Sequence, residues 1–291
     1  MVIDVLLLII GFSALIIATI TDIKTREVPD WLNFSLIPAG VGLRLIHALI
    51  FNDWMYFFYG IIGLAVFVGL AYLFYYARQW GGGDSKLLMG IGVLFATYPR
   101  FLLNYFNPVL NWYFLLIFLF NLLLIGAIYA IIWSSYLAVK NWEKFKATYK
   151  KYFSSLRIFR RIILFIAAVL IIASFANAQI EIKIILLGLA LVMFLSFHLM
   201  VFAKIVESCC MFKNIPVKKL TEGDWVVKEV KIKGKYICGP KDYGLTKEQI
   251  SKLRKSRIKN VVIKEGIPFV PSFLVAMIIS LVWGNFIYLL I

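Results

Sequence analysis

Residues 3–22 read IDVLLLIIGFSALIIATITD, and Lys24, Arg26 and Glu27 follow almost at once. About nineteen residues at 1.5 Å each give a helix of roughly 28 Å, close to the hydrocarbon depth of a bilayer. The run therefore predicts a transmembrane helix that ends on the carboxylate of Asp22. It lacks the basic opening of a cleavable secretory signal. Outward from this first span (3–21), similar apolar runs recur at 33–50, 56–77, 85–98, 111–137, 162–178, 182–203 and 268–290. The expected fold class is an α-helical polytopic membrane protein of about 8 transmembrane helices, or 6 if 162–203 does not span. A small cytoplasmic α/β unit is expected before the last helix.

Composition agrees with this reading. Of the 291 residues 62% are hydrophobic and 16% charged, against about 25% charged in a soluble domain. A soluble enzyme, a fibre and a disordered chain are excluded. The net charge of +16 would suggest nucleic acid in a soluble protein, but here the basic residues lie between apolar runs. With the N-terminus outside, all but Arg44, Arg100 and Lys183 of the 31 Lys and Arg residues fall on the cytoplasmic side. The expected location is the cell membrane, multi-pass, with the basic loops cytoplasmic. Cys209, Cys210 and Cys238 form no Cys-x-x-Cys pair, and His47 and His198 are the only histidines. No metal site is predicted.

The expected organisation is a membrane domain over 1–139, a basic connector over 140–161, an additional transmembrane hairpin over 162–204, the α/β unit over 205–266 and a C-terminal transmembrane helix over 267–291. The connector mixes Lys144, Lys150 and Arg157 with Trp142, Tyr149 and Phe153. Between two spans, that mixture reads as anchoring to membrane lipids rather than binding to nucleic acid. Within the α/β unit, Trp225–Val230 and Lys233–Ile237 read as strands around Gly234, and Val261–Lys264 as a third. Thr246-Lys-Glu-Gln249 is a capping box opening a helix that ends near Ser256 or Arg257.

The acids carry the chemistry. The first 135 residues hold only Asp4, Asp22, Glu27, Asp30, Asp53 and Asp84. Asp4 and Asp53 fall at outer span ends. Asp22 closes the first span and Asp84, after Gly81-Gly82-Gly83, opens the fourth, so two distant carboxylates reach one membrane depth. Two close carboxylates share a proton, because both cannot ionise cheaply. One then acts as base on a water, and the other as acid toward a scissile carbonyl and its leaving amine. The glycines let the backbone take unusual conformations or approach a neighbour closely. Read blandly, Asp22 is a solvated boundary residue and Asp84 a helix cap. Arg44, one turn from His47, is expected to snorkel outward or pair with a polar neighbour.

At these residues the sequence resembles the type IV prepilin peptidase family, membrane aspartic proteases with a Gly-x-Gly-Asp motif. Thr21-Asp22 through Pro29-Asp30 fits the family's Asp followed seven positions on by Pro, with Asn or Asp next; Gly81-Gly82-Gly83-Asp84-Ser85-Lys86 fits Gly-x-Gly-Asp-x-Lys. Gly244–Ile250 and Lys264–Pro271 look like the C-terminal part of archaeal members, the preflagellin and prepilin peptidases. The extra hydrophobic pair at 162–203 departs from the usual six-span plan.

The resemblance implies an aspartic endopeptidase that removes a short basic leader from type IV pilin or archaeal flagellin precursors at the cytoplasmic face. It implies Asp22 and Asp84 as the catalytic dyad, with Gly81, Gly82, Gly83 and Pro29 as backbone elements of the motifs. Glu27 and Asp30 are candidates for recognising the leader, and Lys86 for tuning an aspartate or meeting lipid phosphate. Bacterial relatives that also N-methylate carry an insertion with paired Cys-x-x-Cys. None lies between the first two spans here, so peptidase activity without methylation and without a cofactor is expected. The alternative is an ion-coupled transporter using the same two aspartates as its relay; their placement at one membrane face rather than the midplane speaks against it.

Overall fold

The computed structural model describes residues 1–176, 179–232, 234–256 and 258–289. In chain order the helices are α1 (Val2–Thr25), α2 (Asp30–Phe51), α3 (Trp54–Tyr76), α4 (Gly82–Leu94), α5 (Phe114–Lys140), α6 (Trp142–Ser155), α7 (Arg157–Ala176), α8 (Ile180–Val206), α9 (Lys247–Arg254) and α10 (Val270–Val282). The strands are β1 (Phe212–Pro216), β2 (Trp225–Val226), β3 (Val230–Ile232), β4 (Lys235–Cys238) and β5 (Asn260–Lys264). The chain forms two compact units. The first is Met1–Ile131 with Pro216–Lys259 and Glu265–Ile291; the second is Ile132–Ile215 with Asn260–Lys264.

Among the described residues, six helices are long and apolar enough to cross a membrane: Val2–Thr25, Asp30–Phe51, Trp54–Tyr76, Phe114–Lys140, Arg157–Ala176 and Ile180–Met211. The pair expected near 162–203 is thus among those of spanning length, although residues 177 and 178 lie outside the described residues. The segments expected to span at 85–98 and 268–290 instead form helices of 13 residues each, α4 and α10. At about 20 Å these fall short of the hydrocarbon thickness. Residue 290 lies outside the described residues.

α4 tolerates its shortness because it lies in the middle of the first unit. Leu87, Leu88, Gly90, Ile91, Gly92, Val93 and Leu94 are all buried. Small residues let the neighbours close on it. A Cβ on Gly92 would come within 2.7 Å of the Gly63 carbonyl oxygen, and one on Gly90 within 2.8 Å of Leu36. The outward faces of the other helices carry exposed Ile9, Ile16, Phe58 and Leu73, as a lipid-facing surface would.

The ends of both short helices are satisfied internally, as a low-dielectric setting requires. Arg44, 1% exposed, caps α4: Nε donates to Val93 O at 2.7 Å and Nη2 to Leu94 O at 3.3 Å and Thr97 Oγ1 at 3.2 Å. Its Nη1 donates to Tyr56 O at 2.9 Å, and the guanidinium lies over the Tyr56 ring, whose hydroxyl meets Asp4 at 2.6 Å. Of the two expectations for Arg44, it therefore follows the second, pairing with polar neighbours. α10 stops before Gly284, whose φ of 75° and approach to Val109 leave no room for a Cβ. Tyr98 Oη donates to Leu281 O in the last turn of α10 at 2.8 Å, and Asn121 donates to Ser280 Oγ and to Gly284 O just beyond the helix, both at 2.8 Å.

In the polar part of the first unit a hairpin turns at Gly234 as expected, but its first strand is β3 (Val230–Ile232) and not Trp225–Val230, of which only Trp225–Val226 is a separate strand, β2. β3 and β4 pair antiparallel, with Ile232 opposite Lys235 and Gly234 at φ 76° in the turn; Lys233 lies outside the described residues. The capping box forms as read: Thr246 N–H donates to Gln249 Oε1 at 2.8 Å, and Gln249 N–H to Thr246 Oγ1 at 3.3 Å. α9 ends at Arg254, earlier than expected, and Arg257 lies outside the described residues. In the second unit, α7 and α8 pack together around Phe197, Val201 and Ile205, with Phe145 and Tyr152 of α6 against them. β1 lies beside β5, and Lys264 pairs with Glu207 at 2.7 Å.

Candidate active site

Asp22 sits in the last turn of α1 and is 5% exposed. The helix stops four residues later, where Arg26 takes a left-handed φ of 63° and donates its backbone N–H to Asp22 O. Pro29 then presets the backbone that opens α2 at Asp30. The Asp-to-Pro spacing is thus one turn of helix, one left-handed residue and a short extended link. Its effect is to seat Val28, buried between the two helices, against Gly83.

Asp84 is the third residue of α4 and half-buried. Its Oδ2 reaches back to accept from Gly81 N–H at 3.3 Å. None of Gly81, Gly82 and Gly83 has positive φ, so the run is not there for backbone conformation. Space is the reason at one position only. A Cβ on Gly83 would lie 3.2 Å from Val28 Cβ and N, whereas one on Gly81 or Gly82 would find ordinary contacts.

These two anchorages set the end of α1 and the start of α4 side by side, with Val28, six residues after Asp22, against Gly83, the residue before Asp84. A third strand of the chain completes the site. Val270, which opens α10, donates its N–H to Asp22 Oδ2 at 2.9 Å, placing that carboxylate at the positive end of a helix. Trp80, just before the glycines, stacks with Phe74 at 4.3 Å between centroids and meets Phe269 and Phe273 at 5.6 and 5.4 Å. This aromatic cluster ties the approach to Asp84 to the start of α10.

The remaining sequence candidates sit around this pair. Lys86 Nζ meets Asp30 Oδ1 at 2.6 Å and lies over the Phe34 ring. Glu27 is exposed, and its charge acts on Asp224, as does that of Glu265. Burial holds the Asp224 carboxyl above the ordinary carboxylate range; hydrogen bonds from Thr221 lower it, and Glu27 and Glu265 push it up. Arg78, at φ 57°, donates to Pro240 O at 2.8 Å and Lys241 O at 2.9 Å, docking the 240–243 loop at the end of α3.

Sequence reading missed Asn33, Trp80, Phe269 and Val270. Val270 contributes a backbone N–H, which no side-chain pattern announces. Trp80 and Phe269 look like any interfacial aromatics. Asn33 alone left a signal, as an amide on the apolar face of a span.

Residues 9–131 match the type IV leader peptidase family. The chain is 33% identical over 107 residues to a preflagellin peptidase of Methanocaldococcus jannaschii, covering 37% of this chain and 45% of that one. It is 31% identical over 137 residues to a preflagellin peptidase of Methanococcus voltae, covering 45% and 56%. With the prepilin peptidase EppA of Methanothermobacter thermautotrophicus the identity is 33% over 99 residues, covering 34% and 26%. The chain thus spans about half or less of the length of these relatives. No solved structure matches it.

Proposed function

We propose, from the type IV leader peptidase sequence carried by residues 9–131, that this protein is a membrane aspartic endopeptidase that removes basic leaders from pilin-like or archaeal flagellin precursors. The observation that carries the reading is that the segment after Asp22 packs on the segment before Asp84, Val28 against Gly83, so that two acids about sixty residues apart in sequence stand at neighbouring helix ends. The relatives' names, preflagellin and prepilin peptidase, support the substrate class.

In the proposed reaction one carboxylate is ionised and the other protonated. The ionised one takes a proton from a water as its oxygen bonds to the scissile carbonyl carbon, while the protonated one donates to the carbonyl oxygen. Collapse of the resulting diol breaks the C–N bond: the proton held by the base passes to the leaving amine, and a diol hydroxyl returns its proton to the other carboxylate as the new carbonyl forms. The backbone donors Val270 N–H and Gly81 N–H hold the two carboxylates in place throughout. A shared proton gives a bell-shaped rate profile. Hydrolysis alone is proposed, without N-methylation: residues 26–29 join α1 directly to α2, where methylating bacterial relatives carry their cysteine-bearing insertion.

The substrate's apolar helix would lie in the bilayer with its basic leader at the cytoplasmic face. Glu27 is proposed to draw the leader's lysines, supported by the negative surroundings that Asp224 and Glu265 add. Asp30 is proposed to assist from its place beside Lys86.

The test is cleavage of a tagged precursor by membranes containing the protein. Wild type is expected to cleave, and Asp22→Asn and Asp84→Asn, expressed to the same level, each to lose at least about a thousandfold in rate. Cleavage persisting in either variant removes the aspartic mechanism. In the same assay, Glu27→Gln with Asp30→Asn is expected to raise KM for a basic leader more than for a neutral one. An equal effect on both leaders removes these residues from recognition.

A further inference from the structure

Asn33 lies on the buried stripe of α2 that faces α4. Along that stripe Leu36 packs against Gly90, Gly40 against Val93, and Arg44 caps the carbonyls of Val93 and Leu94. Asn33 occupies the opposite end of the same contact. It is 1% exposed, and its Nδ2 donates to Gly83 O at 3.4 Å, the carbonyl of the residue just before Asp84. Gly83 is pressed from the other side by Val28.

An amide is a poor choice for mere packing here. The Oδ1 of Asn33 is buried and has no hydrogen-bond partner among the described residues, and the same holds for Ser85 Oγ, immediately after Asp84. A leucine would fill such a position on an apolar helix face without leaving a buried acceptor unsatisfied. The amide therefore serves something other than stability, and what it touches is the peptide that aims Asp84.

We propose that Asn33 is a positioning residue that grips the Gly83 carbonyl from α2 and so sets the direction in which Asp84 faces Asp22. The inference rests on the peptidase reading for its consequence in catalysis, but not for the grip itself. α2 begins just after the short link that follows the last turn of α1, where Asp22 sits, so Asn33 ties the segment next to one aspartate to the helix of the other. Loss of the grip lets the first turn of α4 shift, and the two carboxylates no longer share a proton at one fixed separation.

The experiment compares wild type, Asn33→Leu and Asn33→Thr in the full chain, in detergent or reconstituted vesicles. Asn33→Leu is expected to lower kcat for a tagged precursor by at least about 10-fold, with KM changed by less than about 2-fold. Its thermal midpoint is expected to be no lower than that of wild type. Its bell-shaped profile is expected to narrow, because carboxylates that move apart repel less and their two apparent pKa values converge. Asn33→Thr, which keeps a donor, is expected to recover part of the lost rate. An unchanged kcat, an unchanged pH profile, or a loss of rate that only tracks a loss of thermal stability overturns the proposal. Hydrogen exchange of the amides of residues 82–88 reads the grip without any substrate. Asn33→Leu is expected to exchange at least about 10-fold faster there, and unchanged exchange overturns the proposal. Failure of wild type to cleave any precursor overturns the peptidase reading instead.

Discussion

Gly82 and Gly83 are adjacent and chemically identical, yet the structure asks different things of them. Gly83 packs on Val28, and a Cβ there would need the α1–α2 link to give by a few tenths of an ångström. Gly82 would meet only Tyr75 at 3.8 Å. Gly83→Ala is therefore expected to destabilise by about 1–3 kcal/mol, the usual cost of overpacking, and to slow cleavage about 10-fold. Gly82→Ala is expected to stabilise slightly, since alanine is the better helix former, with activity within about 2-fold. Thermal unfolding and precursor cleavage measured side by side check both. The Gly-x-Gly-Asp motif in the sequence marked Gly81 and Gly83 alike and left Gly82 as its variable position. It could not say which one needs the space, because that depends on Val28, more than fifty residues away.

At the scale of elements, α2 holds the short helix α4 by both ends, with Asn33 at its start and Arg44 at its finish. Arg44 was legible as an anomaly, a guanidinium inside an apolar run, but its task was not. Its acceptors are backbone carbonyls that exist only because α4 stops at Leu94. Arg44→Met is expected to destabilise by about 2–4 kcal/mol, since it leaves buried carbonyls without a donor. Arg44→Lys is expected to recover only part of this, because an ammonium cannot span the fork of acceptors. The exposed Lys86–Asp30 pair offers a contrast: Lys86→Met is expected to cost no more than about 1 kcal/mol. Thermal unfolding of the three variants in one detergent separates these cases.

For the whole molecule, the distribution of lysine and arginine predicts an N-terminus outside and the 204–266 region inside. With the native cysteines removed, Asn104→Cys is expected to react with an impermeant maleimide on intact cells, and Lys255→Cys only after lysis. Labelling of Lys255→Cys on intact cells and of Asn104→Cys only after lysis would reverse the orientation. The sequence by itself determined the membrane class, the apolar runs and the two Asp motifs, because hydropathy and local spacing are properties of contiguous residues. It also determined the Thr246 capping box and the turn at Gly234, whose hydrogen bonds and φ are set within a few positions. Tertiary structure alone decided that α4 and α10 are short, since the side chains that take up their last-turn carbonyls, Arg44 and Tyr98, come from distant parts of the chain. It decided too that Val270 N–H meets Asp22 across 248 positions of chain. A backbone donor has no side-chain identity to read, so only the packing of α10 against α1 could bring it to the carboxylate.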